Sequence, residues 1–198
     1  MKRLQIKSNK SPNFIGCWYL DNKNICKDII TFFEDNVKLQ QTGSTATGVN
    51  LKRKKTTDIT INPNQLSDPE YKVFKDYFDS LQKCFLDYRE QWPFLNKFLP
   101  KVNVGHFNVQ KYLPGDHFSD LHSERTHLAT LHRIFAFMTY LNDVDEGGTT
   151  DFDYFGLKIK PENGKTIIWP AEWTHAHTGS VLKGGTKYII TGWFDFAS

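Results

Sequence analysis

The chain has 198 residues, enough to bury a substantial core in one domain without disulfides. An apolar fraction of 39% and an aromatic fraction of 15%, with 16 Phe and 5 Trp, exclude an intrinsically disordered chain and point to a large aromatic core. A net charge of only +3 gives no charge-driven reason to bind nucleic acid or an anionic membrane, and the three cysteines, Cys17, Cys26 and Cys84, lack CxxC spacing and read as reduced thiols.

The start, MKRLQIKSNKSPNF, is basic but leads into no long apolar run, and no segment approaches membrane-spanning length, so a cytoplasmic location is expected. Residues 13–20 (NFIGCWYL) read as a strand, with Asp21-Asn22 as a turn or helix cap. Ile25, Ile29, Phe32, Phe33 and Val37 fall at helical spacing and predict a packing helix over 22–38. Residues 41–50 (QTGSTATGVN) are small and polar, a loop by composition. The run Lys52-Arg53-Lys54-Lys55 reads as a solvated basic turn before a β-branched strand at 56–61; its functional alternative is the border of a groove for something acidic.

Ser67-Asp68-Pro69-Glu70 has the pattern of a capped helix start. Phe74, Tyr77, Phe78, Leu81, Cys84, Phe85 and Tyr88 then predict a long amphipathic helix to Glu90, whose aromatic stripe packs on a sheet and leaves Cys84 inert. After Pro100 the texture changes. Short alternating runs divided by Gly, Asp and Pro turns predict about eight strands between Val102 and Phe196, with no helix, which suits a jelly roll. The expected organisation is one domain, mainly β: a double-sheet jelly roll over 101–198, braced on one outer face by N-terminal helical support over 1–100.

All seven histidines lie between His106 and His177. Within that span His122-Ser123-Glu124 places an imidazole and a carboxylate two residues apart, which on an extended strand project to the same face and can ligate one cation. About one such pair is expected by chance in a chain of this composition, so the tripeptide needs its context. A second imidazole from a later strand completes three ligands; His177 and His175 share a face of a regular strand, and both are candidates. The glycines of Asp145-Glu146-Gly147-Gly148-Thr149-Thr150-Asp151-Phe152 allow a tight backbone path between strands. His117, His127 and His132 have no ligand-like register.

Tyr112, Gly115 and Phe118 before His122-x-Glu124, then Tyr140-Leu141-Asn142, the GGTTDF segment, Pro161 and Gly164, His177, Lys187 and Trp193 form an ordered set. This set resembles the iron(II)- and 2-oxoglutarate-dependent dioxygenases, in particular the prolyl-4-hydroxylase-like branch in its short bacterial and phage form. The resemblance covers about residues 107–196 and implies that the jelly roll is a double-stranded β-helix. It implies that His122, Glu124 and His177 ligate iron(II), with Glu124 where many relatives carry Asp. The ten-residue separation from Lys187 favours His177 over His175, leaving His175 a supporting role. Lys187 is implied to receive the distal carboxylate of 2-oxoglutarate, with Tyr140 adding a hydroxyl donor, Tyr112 lining the metal-side pocket and Trp193 packing near the co-substrate. Thr139 alternates to the other face of its strand and is left out.

The implied reaction hydroxylates a substrate C–H, foremost of a prolyl or other peptidyl side chain. It consumes dioxygen and 2-oxoglutarate, releases succinate and CO2, and draws on ascorbate as an auxiliary reductant. The alternatives are an oxygenase acting on a small molecule or nucleobase, and a noncatalytic jelly roll that holds a metal or ligand. No aromatic stacking platform supports nucleic acid as a partner.

Overall fold

The computed structural model describes residues 11–45 and 48–197. Most of the basic N-terminal stretch therefore lies outside the described residues, as do two residues of the small polar 41–50 segment. In the N-terminal half the chain forms β1 (Gly16–Tyr19), α1 (Asn24–Asp35), β2 (Gln41–Thr42), β3 (Lys54–Lys55), β4 (Thr57–Ile61), α2 (Lys72–Gln91) and α3 (Phe94–Phe98). It continues through β5 (Val102–Val104), β6 (Phe107–Tyr112), β7 (His117–His122), β8 (Arg133–Tyr140), β9 (Thr150–Phe152), β10 (Leu157–Ile159), β11 (Lys165–Pro170), β12 (His177–Gly179) and β13 (Lys187–Phe196).

The strands make two sheets. The larger runs β1-β11-β8-β13-β6-β4-β2, with β5 also on β13; the smaller runs β10-β9-β12-β7-β3, and each pairing is antiparallel. This is the expected double-stranded β-helix.

Period-two alternation decides what each face of the larger sheet meets. On β13, Tyr188, Ile190 and Phe194 join an aromatic core with Ile29 and Phe33 of α1 and Phe74, Tyr77, Leu81 and Phe85 of α2. Lys187, Ile189, Thr191 and Trp193 face the other way, toward the smaller sheet. Thr139 of β8 behaves as its parity requires: its hydroxyl lies 2.9 Å from that of Tyr77 on α2. Each buried Phe of this layer contributes roughly 1.5–3 kcal/mol by leaving water, so the helices stiffen the sheet from behind.

Several expectations are corrected. The N-terminal half is not only helical support, because β1, β2 and β4 extend the larger sheet and β3 the smaller one. A boundary at residue 100 therefore separates no layers. The first helix ends at Asp35, and Val37 is exposed in a 3-10 turn rather than packed. Helix α2 begins at Lys72, not at Ser67. The Ser67 hydroxyl donates to the Asn64 carbonyl, and the reciprocal capping pair is Asn62 with Gln65 on a preceding 3-10 turn. Proline at 63 and again at 69 favours short turns over one continuous helix. Among the described residues no helix is long and apolar enough to cross a membrane.

Candidate metal centre

Between the sheets lies a cavity of about 410 Å³, lined by β6, β8, β11 and β13 on one side and by β3, β7, β9 and β12 on the other. Its inner face on β7 is the row Phe118, Asp120 and His122. Strand pairing sets the central geometry: His177 of β12 stands directly opposite His122 of β7 in the antiparallel register, with ring centroids 4.4 Å apart. Ligand-capable atoms of His122, Glu124 and His177 all lie within 4.8 Å of one another. Glu124 differs from the expectation in one respect. β7 ends at His122, so the carboxylate comes from the bend that follows, not from the strand.

Backbone carbonyls fix both imidazoles. His122 Nδ1 is 2.8 Å from the Asp120 carbonyl and His177 Nδ1 is 2.9 Å from the His175 carbonyl. A carbonyl only accepts, so each Nδ1 carries the hydrogen and each Nε2 presents its lone pair to the centre. Burial, reinforced by nearby His177, pushes the His122 pKa down to about 4 and keeps that ring neutral. Burial raises the Glu124 pKa, but the neighbouring His177 and His122 rings and the Trp193 indole N–H outweigh it and hold the carboxyl down at about 2. Glu124 Oε1 stands 3.4 Å from His177 Nε2, and Trp193 Nε1 donates to Oε2 at 2.8 Å. Acceptor atoms aimed at one another across such a gap call for a cation between them. Two imidazoles and one monoanionic carboxylate suit a divalent ion of the first transition row.

The same cavity holds a buried cation at its other end. Lys187, 3% exposed, donates to the Gly148 carbonyl at 3.0 Å and lies 3.9 Å from the centre of the Tyr112 ring. Among the described residues no carboxylate pairs with it, and burial pushes its pKa down to about 7. A buried ammonium of this kind is chemically suited to an anion. The glycine pair shapes it: Gly147 and Gly148 have φ of +78° and +65°, and a Cβ on Gly148 would lie 3.1 Å from Lys187 Cδ.

The other expected residues divide. Tyr112 lines the cavity, its hydroxyl donating to Gln110 Oε1 at 2.9 Å. Trp193 lines it too, but its polar contact is the metal-side carboxylate. Tyr140 is fully buried in one cluster with the cavity-lining Tyr112, Met138 and Ile189, and its hydroxyl meets Thr150 Oγ1 at 2.6 Å and the Ile159 carbonyl at 3.2 Å. Thr150 itself lines the cavity. His175 sits in a 3-10 turn before β12, so the regular-strand argument for a shared face does not apply. Its side chain bonds the Asn13 carbonyl at 2.8 Å and Thr174 at 2.9 Å, and it serves His177 through its backbone carbonyl.

The basic run is only partly a solvated turn: Lys52 and Lys55 are exposed, but three of its four cations are paired. Arg53 bonds Asp120, Lys54 is buried on Asp58 at 2.6 Å and Lys55 meets Asp116 at 2.9 Å, with Arg53 and Lys54 on the cavity wall. Sequence reasoning missed Thr150, Arg133 and the two carbonyl anchors. Carbonyls leave no mark in a sequence, but the GGTTDF segment contains the first.

Residues 107–195 match the family model of the 2OG-Fe(II) oxygenase superfamily. Over 83 residues the chain is 31% identical to prolyl 4-hydroxylase subunit alpha-2 of Gallus gallus, which covers 38% of this chain and 14% of that protein. The chain spans less than half the length of the curated relatives it matches. Among solved structures it is similar to the viral collagen prolyl hydroxylase of Paramecium bursaria Chlorella virus-1 in its 2OG complex, at 20% identity and a TM-score of 0.66, covering 93% of this chain and 97% of that one. It is similar also to a Trichoplax adhaerens prolyl hydroxylase solved with a hypoxia inducible factor peptide fragment, at 15% identity and a TM-score of 0.70, covering 92% and 84%. These structures share the fold.

Proposed function

We propose that the chain, whose residues 107–195 match the family model of the 2OG-Fe(II) oxygenase superfamily, is an iron(II)- and 2-oxoglutarate-dependent dioxygenase that hydroxylates a prolyl or other peptidyl side chain. One observation carries this reading: a single cavity is lined at one end by two imidazoles and a carboxylate converging on a point, and at the other by a buried ammonium with no carboxylate partner among the described residues. In this reading His122, Glu124 and His177 hold iron(II). When bound, iron(II) in such a three-ligand set keeps positions open for a chelating oxoacid and for dioxygen, the chemistry that oxidises a C–H bond.

The chain's own residues do the rest. Lys187 takes the distal carboxylate of 2-oxoglutarate as a point charge, and the Gly148 carbonyl and the Tyr112 ring hold the ammonium in place. Thr150, held by Tyr140, adds a hydroxyl beside it. Phe118 stacks on His122 at 3.9 Å and covers the imidazole from water. The remaining cavity toward Asn108, Thr126, Thr130 and Thr191 is polar and receives one substrate side chain. The likeness to the Gallus and Trichoplax proteins favours a peptide as substrate. The paired state of Arg53, Lys54 and Lys55 argues against a nucleic acid, which needs uncompensated cations. The described cysteines are free thiols, in keeping with a reducing, cytoplasmic setting.

The test is succinate formation from 2-oxoglutarate with iron(II), ascorbate and proline-containing peptides, followed by mass spectrometry of the peptides for a gain of one oxygen. Absence of succinate across a broad panel, together with undiminished metal binding by His122→Ala, overturns the proposal in favour of a noncatalytic module.

A further inference from the structure

Glu124 raises a physical problem that a shorter Asp does not. Its extra methylene adds a torsion, and it sits in the bend past the end of β7, where no ladder hydrogen bonds hold the backbone. A loose Glu can swing out of the ligand set or turn both oxygens onto a metal and occupy one position too many.

We propose that Trp193 and Arg133 form a brace that holds Glu124 to one metal-facing oxygen, making Trp193 a positioning residue for the metal carboxylate rather than only a wall of the co-substrate pocket. This inference rests on the dioxygenase reading of the site. Trp193 Nε1 donates to Glu124 Oε2 at 2.8 Å while Oε1 faces His177 Nε2 at 3.4 Å, so the two oxygens have separate partners. Chelation through both oxygens requires breaking a charge-assisted hydrogen bond. The guanidinium of Arg133 lies 3.5 Å from the Trp193 ring centre and fixes the plane of the indole. Arg133 Nη1 also donates to the Glu124 backbone carbonyl at 3.1 Å, so the residue is held at both ends.

Both brace residues come from rigid elements. Trp193 is on β13, paired opposite Ala136 of β8, and Arg133 opens β8 opposite Asp195. A ligand on a bend thereby takes its position from the central strands of the larger sheet.

The experiment is a double-mutant cycle read by Mn(II) binding, with free Mn(II) measured by electron paramagnetic resonance, a readout independent of turnover. Trp193→Phe weakens binding 10- to 100-fold in the Glu124 protein. In the Glu124→Asp background, where the shortened carboxylate no longer reaches the indole, the same change has less than a threefold effect. Arg133→Met, which keeps the indole N–H but loosens it, weakens binding about 3- to 10-fold and serves if Trp193→Phe fails to fold. Equal effects of Trp193→Phe in both backgrounds, or no effect of either brace variant, overturn the brace while leaving the metal site standing if His122→Ala abolishes binding. Wild-type protein that binds no Mn(II) overturns both.

Discussion

Replacing Lys187 by Met separates the cost of the anion site from its use. The ammonium is 3% exposed, has a carbonyl and an aromatic face for company, and is depressed by burial from 10.5 to about 7. At about 1.4 kcal/mol per pH unit this difference means that burying the charge costs the ligand-free fold about 5 kcal/mol. The unfolded chain binds the extra proton between about pH 7 and 10.5, so stability rises with pH across that window. The cost is fully present below pH 7 and absent above pH 10.5.

Methionine matches the length of the stem without the charge, and forfeits about 1 kcal/mol of cation–π attraction to Tyr112. Lys187→Met is therefore expected to stabilise the ligand-free protein at pH 7 by about 2–4 kcal/mol, raising Tm by roughly 5–12 °C for a chain of this length. The same change abolishes the further rise in Tm that 2-oxoglutarate gives the wild type. In the wild type, 2-oxoglutarate binding weakens as pH rises from 7 to 9 and is accompanied by proton uptake, measured by titration calorimetry in buffers of different ionisation enthalpy. A variant that melts at or below the wild type, or one that keeps its response to 2-oxoglutarate, refutes the account of Lys187.

His177→Ala is expected to lose divalent-metal binding by equilibrium dialysis, whereas His175→Gln, which keeps the backbone carbonyl that His177 uses, retains it to within about tenfold. Gly148→Ala forces a side chain into φ +65° against Lys187 and Leu182; denaturant titration should show a loss of about 1–3 kcal/mol, with weaker 2-oxoglutarate binding. Tyr77→Phe removes a buried hydroxyl whose partner Thr139 keeps Thr166 at 2.7 Å, so it should cost about 1 kcal/mol in chemical unfolding and leave Mn(II) affinity unchanged.

Hydrophobic periodicity carried most of the architecture. The stripes of α1 and α2 and the alternation after Pro100 are properties of local sequence, and the faces they define are the faces that pack. The parity of β13, which places Lys187, Ile189, Thr191 and Trp193 together and Ile190 and Phe194 behind, is equally local. Helix starts were less legible. Ser67 and Glu70 have the residue types of a cap, yet prolines at 63 and 69 break the segment into turns before α2 can begin. The strands β1 to β4 went partly unread because two of them are only two residues long and gain stability solely from the sheets they join.

For the candidate site, the sequence by itself determined which side chains have the right chemistry: His122, Glu124, His177 and Lys187 were all legible as residue types in an ordered spacing, though the shared strand face expected for His122 and Glu124 was not kept. The tertiary structure decided the rest. Cross-strand register set His177 opposite His122 and left His175 in a turn. Two backbone carbonyls, separated in sequence by more than fifty residues, chose the tautomer of each imidazole. The indole of Trp193 met a carboxylate 69 positions earlier, and the Tyr140 hydroxyl met that of Thr150. Periodicity fixes a direction relative to one's own strand. Distance to another strand depends on register, and register is settled only when the whole core packs.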